Sequence, residues 1–373
     1  MSTKPDHVVI AGAGIVGVST AYFLAKEHKI SKITLIDPTG TIAPAASGKA
    51  AGFLALDWRD GTPLEKLARR SFRLHQELAE VFGHDKIQYR RVSSCAFVEV
   101  LTNNRPNKKR RITKGQRESL EWADIDKTKS IELVGDEESL AQVHPMMLCE
   151  AMWEATTKMA TTCELLQGKA VGVEHNDGKL VSVLLDNNKV IKGDAFLVSA
   201  GPWSADIIKG SKANSVVFRT KTVGKQVVFL TKGQDSFEGF VRPDQTMFCS
   251  GYCEDEVKVT EEPGKEKVTQ GIAEQIVSGI QDAAMDGYVM DTDMIRACYQ
   301  PTTPDGLPMM GSIPDLSQCF IAVGHDCWGI LMGPASGEVM SNLIVTGKTN
   351  NGHVNLKPFK PTRFGTFKLF GEE

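Results

Sequence analysis

His7-Val8-Val9-Ile10-Ala11-Gly12-Ala13-Gly14-Ile15-Val16-Gly17 is the stretch that decides how this chain folds. The apolar run 7–11 has the character of a buried strand, and residues 18–27 read as the helix that follows the glycines. A second strand, 32–36, ends on Asp37, twenty residues after Gly17. Strand, Gly-x-Gly-x-x-Gly, helix, strand and terminal acid make a dinucleotide-binding βαβ unit. Gly12 permits the tight turn, Gly14 lets a pyrophosphate approach the backbone at the helix N-terminus, and Gly17 lets helix and strand pack closely. Asp37 is placed to accept hydrogen bonds from an adenosine ribose.

The motif alone does not separate a nicotinamide cofactor from a flavin. A nicotinamide domain continues in βαβ units, and this chain does not. Residues 45–54 are small, with Ala and Gly positions that let backbone lie flat against a planar ring, or else form a flexible loop. Residues 64–82 carry Leu64, Leu67, Phe72, Leu74, Leu78, Val81 and Phe82 at helical spacing, and 146–161 reads as another helix. Runs 170–173 and 180–185 flank Asn176-Asp177-Gly178 as a hairpin, and 195–199 is a buried-type strand entering Ala200-Gly201-Pro202-Trp203-Ser204. From 214 to 290 the texture changes to strands (223–230, 240–242, 247–252) and one helix over 268–285, which predicts a mainly antiparallel second domain with helical cover. Nucleotide-type signals return in 298–308 and in strand 320–323 with the turn after it, where Pro334 suits the first turn of a helix reaching 346.

Length and composition bound the rest. The chain has 373 residues, enough for about two domains of about 150 residues. Its 43 Lys and Arg against 46 Asp and Glu leave a net charge of −3, so no global field recruits nucleic acid. Residues 105–117 hold seven Lys or Arg with no interleaved aromatics and read as a solvated excursion. Cys95, Cys149, Cys163, Cys249, Cys253, Cys298, Cys319 and Cys327 form no CxxC pair, which argues against zinc and a disulfide framework and for a reducing compartment. No apolar run is long enough for a membrane span, and a strand starting by residue 7 leaves no room for a signal peptide, so a soluble, cytoplasmic protein is expected.

Five ordered blocks, HVVIAGAGIVGVSTAYFLA, AASGKAAGF, DAFLVSAGPWS, TPDGLPMMG and GHDCWGILMGPASGE, with the tail LKPFKPTRF, resemble the FAD-dependent oxidoreductases grouped with D-amino-acid oxidase, glycine oxidase and monomeric sarcosine oxidase. The chain looks most like a poorly characterised eukaryotic branch carrying ACY before TPDGLP. The resemblance implies a Rossmann-like α/β FAD domain of glutathione-reductase type from residues 1–59, 146–210 and 295–373. It also implies an α+β substrate domain with a mainly antiparallel sheet from 60–145 and 211–294. By position, Gly12, Gly14, Ile15 and Val16 would surround the FAD diphosphate and Asp37 the ribose. Ser47, Gly48, Lys49, Ala50 and Ala51 would run beside the flavin ring, and the backbone of Val171 would meet the adenine side. Ala200, Gly201 and Trp203 would form the second FAD-contacting turn, with Trp328, Gly329, Ile330 and Leu331 at the pyrimidine edge. There, backbone amides and a helix N-terminus can stabilise negative charge on reduced flavin.

The departures from that pattern bear on substrate. Where glycine oxidase has an arginine that grips the substrate carboxylate, this chain has Gln300, which cannot make a bidentate charge-assisted contact. Arg296, Arg242 and Arg59 are other sources of a cation. Cys298 stands at the spacing of the cysteine that monomeric sarcosine oxidase joins to flavin, against the plainer reading of a buried hydrophobe. Lys258 is spaced like a lysine that helps oxygen react, although Glu254, Asp255 and Glu256 suggest an exposed turn. His325 is a candidate general base or a histidine bonding its own loop, Trp328 a further candidate at the flavin, and Asp305 a turn-former beside Gly306. The expected activity is FAD-dependent removal of hydride from a C–N bond of a small-molecule amine or amino acid to give an imine, with oxygen or another carrier as final acceptor. The alternative is an FAD-binding protein with a regulatory or interaction role, for example in trafficking.

Overall fold

The computed structural model describes residues 4–101, 120–349 and 354–370. The basic stretch 105–117 lies outside the described residues.

The opening motif folds as strand His7–Ala11, helix Ile15–Lys26 and strand Lys32–Asp37. They belong to a six-stranded sheet in the order Met309–Ser312, Cys319–Val323, Ala195–Val198, His7–Ala11, Lys32–Asp37, Thr162–Gln167. Only the pairing of the first two is antiparallel. Register places Ile10 between Leu35 and Leu197, all fully buried, as expected of a parallel sheet covered on both faces. Each such side chain contributes about 1.5–3 kcal/mol by leaving water. The hairpin forms as Ala170–Asn176 and Lys179–Leu185, and Asp177 and Gly178 both take the positive φ (49° and 73°) that a two-residue turn of this hand requires.

Helix Glu65–Phe82 packs against helix Gly329–Thr346, and its buried Leu67, Phe72, Leu74 and Leu78 join the core around Val8, Ile10 and Leu35. The domain division read from the sequence placed residues 65–82 in the second unit, and the structure corrects it. The helix's apolar stripe was visible in the chain, but not which surface it would cover.

Pro334 also differs from expectation. The helix begins at Gly329, so the proline sits inside it rather than in its first turn. Proline has no N–H for the carbonyl of Ile330. The buried His75 Nε2, at 2.9 Å, donates to that oxygen instead, and the next amide, Ala335 N, donates to Ser71 Oγ at 3.0 Å. Helix Glu65–Phe82 thus repairs the interruption.

The second sheet has seven strands in the order Val289–Thr302, Lys209–Thr220, Thr246–Val257, Asp235–Val241, Gln226–Lys232, Ser94–Val100, Thr128–Val134. Every pairing is antiparallel except Gln226–Lys232 with Ser94–Val100. Residues 254–256, expected as a turn, continue a strand, and residues 295–302, assigned to the FAD domain, belong to the edge strand of this sheet. One face packs Phe218, Phe237 and Trp122 against helix Ile272–Ala283. The alternate residues face a cavity that extends to the parallel sheet.

Candidate functional site

A cavity of about 650 Å³ runs from the glycine-rich loop to the antiparallel sheet. At one end lie Gly12, Gly14, Ile15 and Val16. Gly12 has a φ of +103°, and a Cβ there would come within 2.3 Å of the Ser199 carbonyl, so no other residue fits the turn. Helix Ile15–Lys26 opens with no side-chain cap and no acid in its first turn. Among the described residues, Ile15 N alone in its first turn is engaged by a side chain, Ser47 Oγ at 2.9 Å. The start of this helix therefore keeps its favourable potential for anions. Asp37 is buried beside it, with Oδ2 accepting from Ala13 N at 3.2 Å and Oδ1 from Thr39 N at 3.0 Å and Thr39 Oγ1 at 2.7 Å. Burial raises its pKa against these hydrogen bonds.

Ser47, Lys49, Ala50 and Ala51 line the middle of the cavity, with Ala200, Gly201, Trp203, Trp328, Gly329 and Ile330 also lining it. Lys49 forms an ion pair with the buried Glu266 and donates to the carbonyl of Ala297 at 3.0 Å, so its charge is already met. Trp203 Nε1 donates to the carbonyl of Glu261 at 3.1 Å, and the Glu261 carboxylate accepts from Tyr299 and pairs with Lys212 at 3.1 Å. These contacts bind the segment around residues 259–266 to the antiparallel sheet through Tyr299 and Lys212, and to the turn after strand Ala195–Val198 through Trp203.

Three expected contacts are not brought to the cavity. Val171, expected to meet adenine through its backbone, is not among the lining residues, its side chain being turned away by alternation along the strand, while the adjoining Gly168, Lys169 and Ala170 line the cavity. Gly48 is enclosed between Ala43 and Met146, where a Cβ would meet the Ala43 carbonyl at 2.2 Å. Leu331 is 1% exposed and part of the core.

Of the candidate reacting residues, Gln300, His325, Trp328 and Cys298 line the cavity, while Lys258 is exposed beyond the end of its strand and does not. His325 is buried with Nε2 2.8 Å from Ser336 Oγ, on the helix that follows its loop, and burial lowers its pKa to about 4, so it is neutral. Burial pushes the Cys298 thiol up to about 12. Asp305 is a turn-former: Oδ1 accepts from Leu307 N and Thr303 Oγ1, both at 3.1 Å, and Arg363 of the chain's tail holds the carboxylate. Arg242 donates to the carbonyls of Ala50 (2.9 Å) and Ala51 (3.3 Å), Arg59 lies over Trp328, and Arg296 lies over Phe248. None of the three lines the cavity.

The far wall was not read from the sequence. It holds Glu238 and Ser250 among Phe53, Trp58, Phe229, Phe240 and Phe248. Their signal is the period-2 alternation of 235–241, which puts Glu238 and Phe240 on one face without saying which face is enclosed.

A family model, FAD dependent oxidoreductase, matches residues 7–343. The chain belongs to this family. A Schizosaccharomyces pombe protein described as an oxidoreductase is 28% identical over 94% of this chain and 97% of its own length. Glycine oxidase of Bacillus subtilis is 24% identical, with 92% and 94% covered. The crystal structure of glycine oxidase from Geobacillus kaustophilus superposes with a TM-score of 0.73 at 17% identity, covering 97% of this chain and 99% of that one, a likeness of fold. FAD is the cofactor of the family, and the residues present fit it. The Gly12 turn leaves no room for a Cβ, the adjoining helix has no acid in its first turn, and the cavity reaches an enclosed carboxylate at Asp37. Among the described residues, no helix is long and apolar enough to cross a membrane.

Proposed function

We propose that this protein oxidises the C–N bond of a small amine or amino acid, giving an imine that water hydrolyses. The observation that carries this reading is the continuity of one cavity from the glycine-rich loop to the wall of the antiparallel sheet. The likeness to glycine oxidase supports the same chemistry. FAD, when bound, supplies the acceptor for the two electrons leaving the C–N bond. The chain's own residues do the rest. Gly12, Gly14, Ile15 and Val16 receive the diphosphate, Asp37 the ribose, and Ala200, Gly201 and Trp203 the second turn. Ser47, Lys49, Ala50 and Ala51 border the ring system, and the amides from Trp328 to Ile330 meet its electron-rich edge. The parallel-sheet unit is the cofactor domain and the antiparallel sheet the substrate wall. Cys298 lines the cavity with its thiol pKa raised by burial to about 12, and acid precipitation reads whether FAD is joined to it.

The test is spectroscopic. Purified protein reconstituted with FAD is expected to release its yellow colour into the supernatant on acid precipitation, and to bleach anaerobically with at least one member of an amine and amino-acid panel. Failure to take up FAD refutes the cofactor site. Stable FAD with no bleaching across the panel refutes amine oxidation and favours a binding or regulatory role.

A further inference from the structure

Phe229, Glu238 and Ser250 stand directly opposite one another on three adjacent antiparallel strands, so their side chains share one face. That face is the far wall of the cavity. Glu238 accepts a hydrogen bond from Ser250, and among the described residues it forms no ion pair with Lys or Arg. A carboxylate enclosed among apolar groups is costly unless a cation meets it, and burial raises the pKa of Glu238 accordingly. Of the lysines lining the cavity, Lys49 pairs with Glu266, and Lys169 sits at the Asp37 end, where the neighbouring Gly168 N donates to the Asp37 carbonyl.

Aromatic rings line the same cavity. Phe229 lies 5.8 Å from Phe240 and 5.9 Å from Trp58, and Trp58 lies 6.1 Å from Trp328. Aromatic faces about a negative group bind organic cations, whose charge is spread over carbon as well as nitrogen. The lining offers a carboxylate Glu238 and the neutral Gln300 and no arginine. The nearest guanidinium groups are engaged with rings, Arg59 over Trp328 and Arg242 and Arg296 over Phe248.

We propose that the substrate is an organic ammonium compound without a carboxylate, its nitrogen held by Glu238 and its substituent by Phe229, Phe240 and Trp58. This rests on the reading of the cavity as an amine-oxidation site. It selects amines over amino acids.

The test separates recognition from oxidation. Calorimetric titration of the FAD-loaded full-length protein compares benzyltrimethylammonium, which has no nitrogen lone pair and so is not oxidised, with benzoate. The cation is expected to bind at least tenfold tighter than benzoate, and Glu238→Gln to lose at least tenfold of that affinity while keeping its FAD spectrum. Phe229→Leu is expected to weaken the cation by several-fold. Benzoate binding as tightly as the cation, no binding of the cation, or an unchanged cation affinity in Glu238→Gln overturns the proposal. Should Glu238→Gln fail to fold, the comparison of the two ligands in the wild-type protein decides alone. Selective cation binding with no bleaching by any amine would remove the oxidase reading and leave this recognition intact. Bleaching by amino acids only would do the reverse.

Discussion

His75 and Pro334 lie far apart in the chain and answer each other in the fold. The proline deprives Ile330 of its helical donor, and the imidazole Nε2–H replaces it at 2.9 Å. His75→Leu leaves that carbonyl buried and unpaired, which costs about 1–3 kcal/mol, measurable by urea unfolding at neutral pH. The pH dependence has a definite sign. Burial lowers the His75 pKa from 6.5 to about 4, so between those values the unfolded chain holds a proton that the folded one does not. The stability tied to this neutral histidine is complete above pH 6.5 and is lost as pH falls toward 4. Across that window the unfolding free energy of His75→Leu is expected to fall less steeply than that of the wild type, by one proton's worth of slope. Parallel slopes would show that His75 is charged in the folded protein.

At the scale of elements, the contact between helix Ile15–Lys26 and helix Gly329–Thr346 sets the geometry of the glycine-rich loop. A Cβ on Gly337 would approach Ser19 Cβ to 2.4 Å, so the helices touch backbone to backbone there. Gly337→Ala forces them apart at a cost of about 1–3 kcal/mol, seen as a lowered thermal midpoint. Because the displaced helix carries the N-terminus beside Gly14, its FAD affinity should fall in the same variant. Loss of stability with undiminished FAD affinity would detach that helix from the cofactor. The antiparallel sheet teaches the complementary lesson. Along Asp235–Val241, Phe237 joins the core under helix Ile272–Ala283, while Glu238 and Phe240 look into the cavity. Alternation makes both faces legible in the chain, and only the pairing of distant strands chooses between them.

On the scale of the whole molecule, the two sheets meet across the cavity, and Lys49 with Glu266 forms one of the ties between them. Glu266 has no exposed side-chain surface, so Lys49→Met strands a buried charge. The expected cost is about 3–5 kcal/mol of stability, read by denaturant unfolding, with FAD binding weakened at least tenfold by fluorescence titration. The double variant Lys49→Met, Glu266→Leu should recover most of the stability, since it removes both members of the pair. Its failure to recover would mean that the pair holds more than its own charges.

The βαβ unit, the hairpin at Asp177 and Gly178, and the helices around residues 65–82 and 146–159 were legible because each rests on short-range physics: steric turns, positive φ and apolar periods of 3.6 or 2 residues. The glycine-rich end of the site was legible for the same reason, since its constraint lies within a few consecutive residues. The helix Glu65–Phe82 could not be assigned to its core, nor residues 295–302 to their sheet, because those placements depend on partners far along the chain. Gln300 announced itself as a departure at a fixed spacing, whereas Glu238 became visible only when Phe229 and Ser250 came to flank it. Local sterics write the cofactor cradle into the chain, and long-range strand register encloses the carboxylate that faces it.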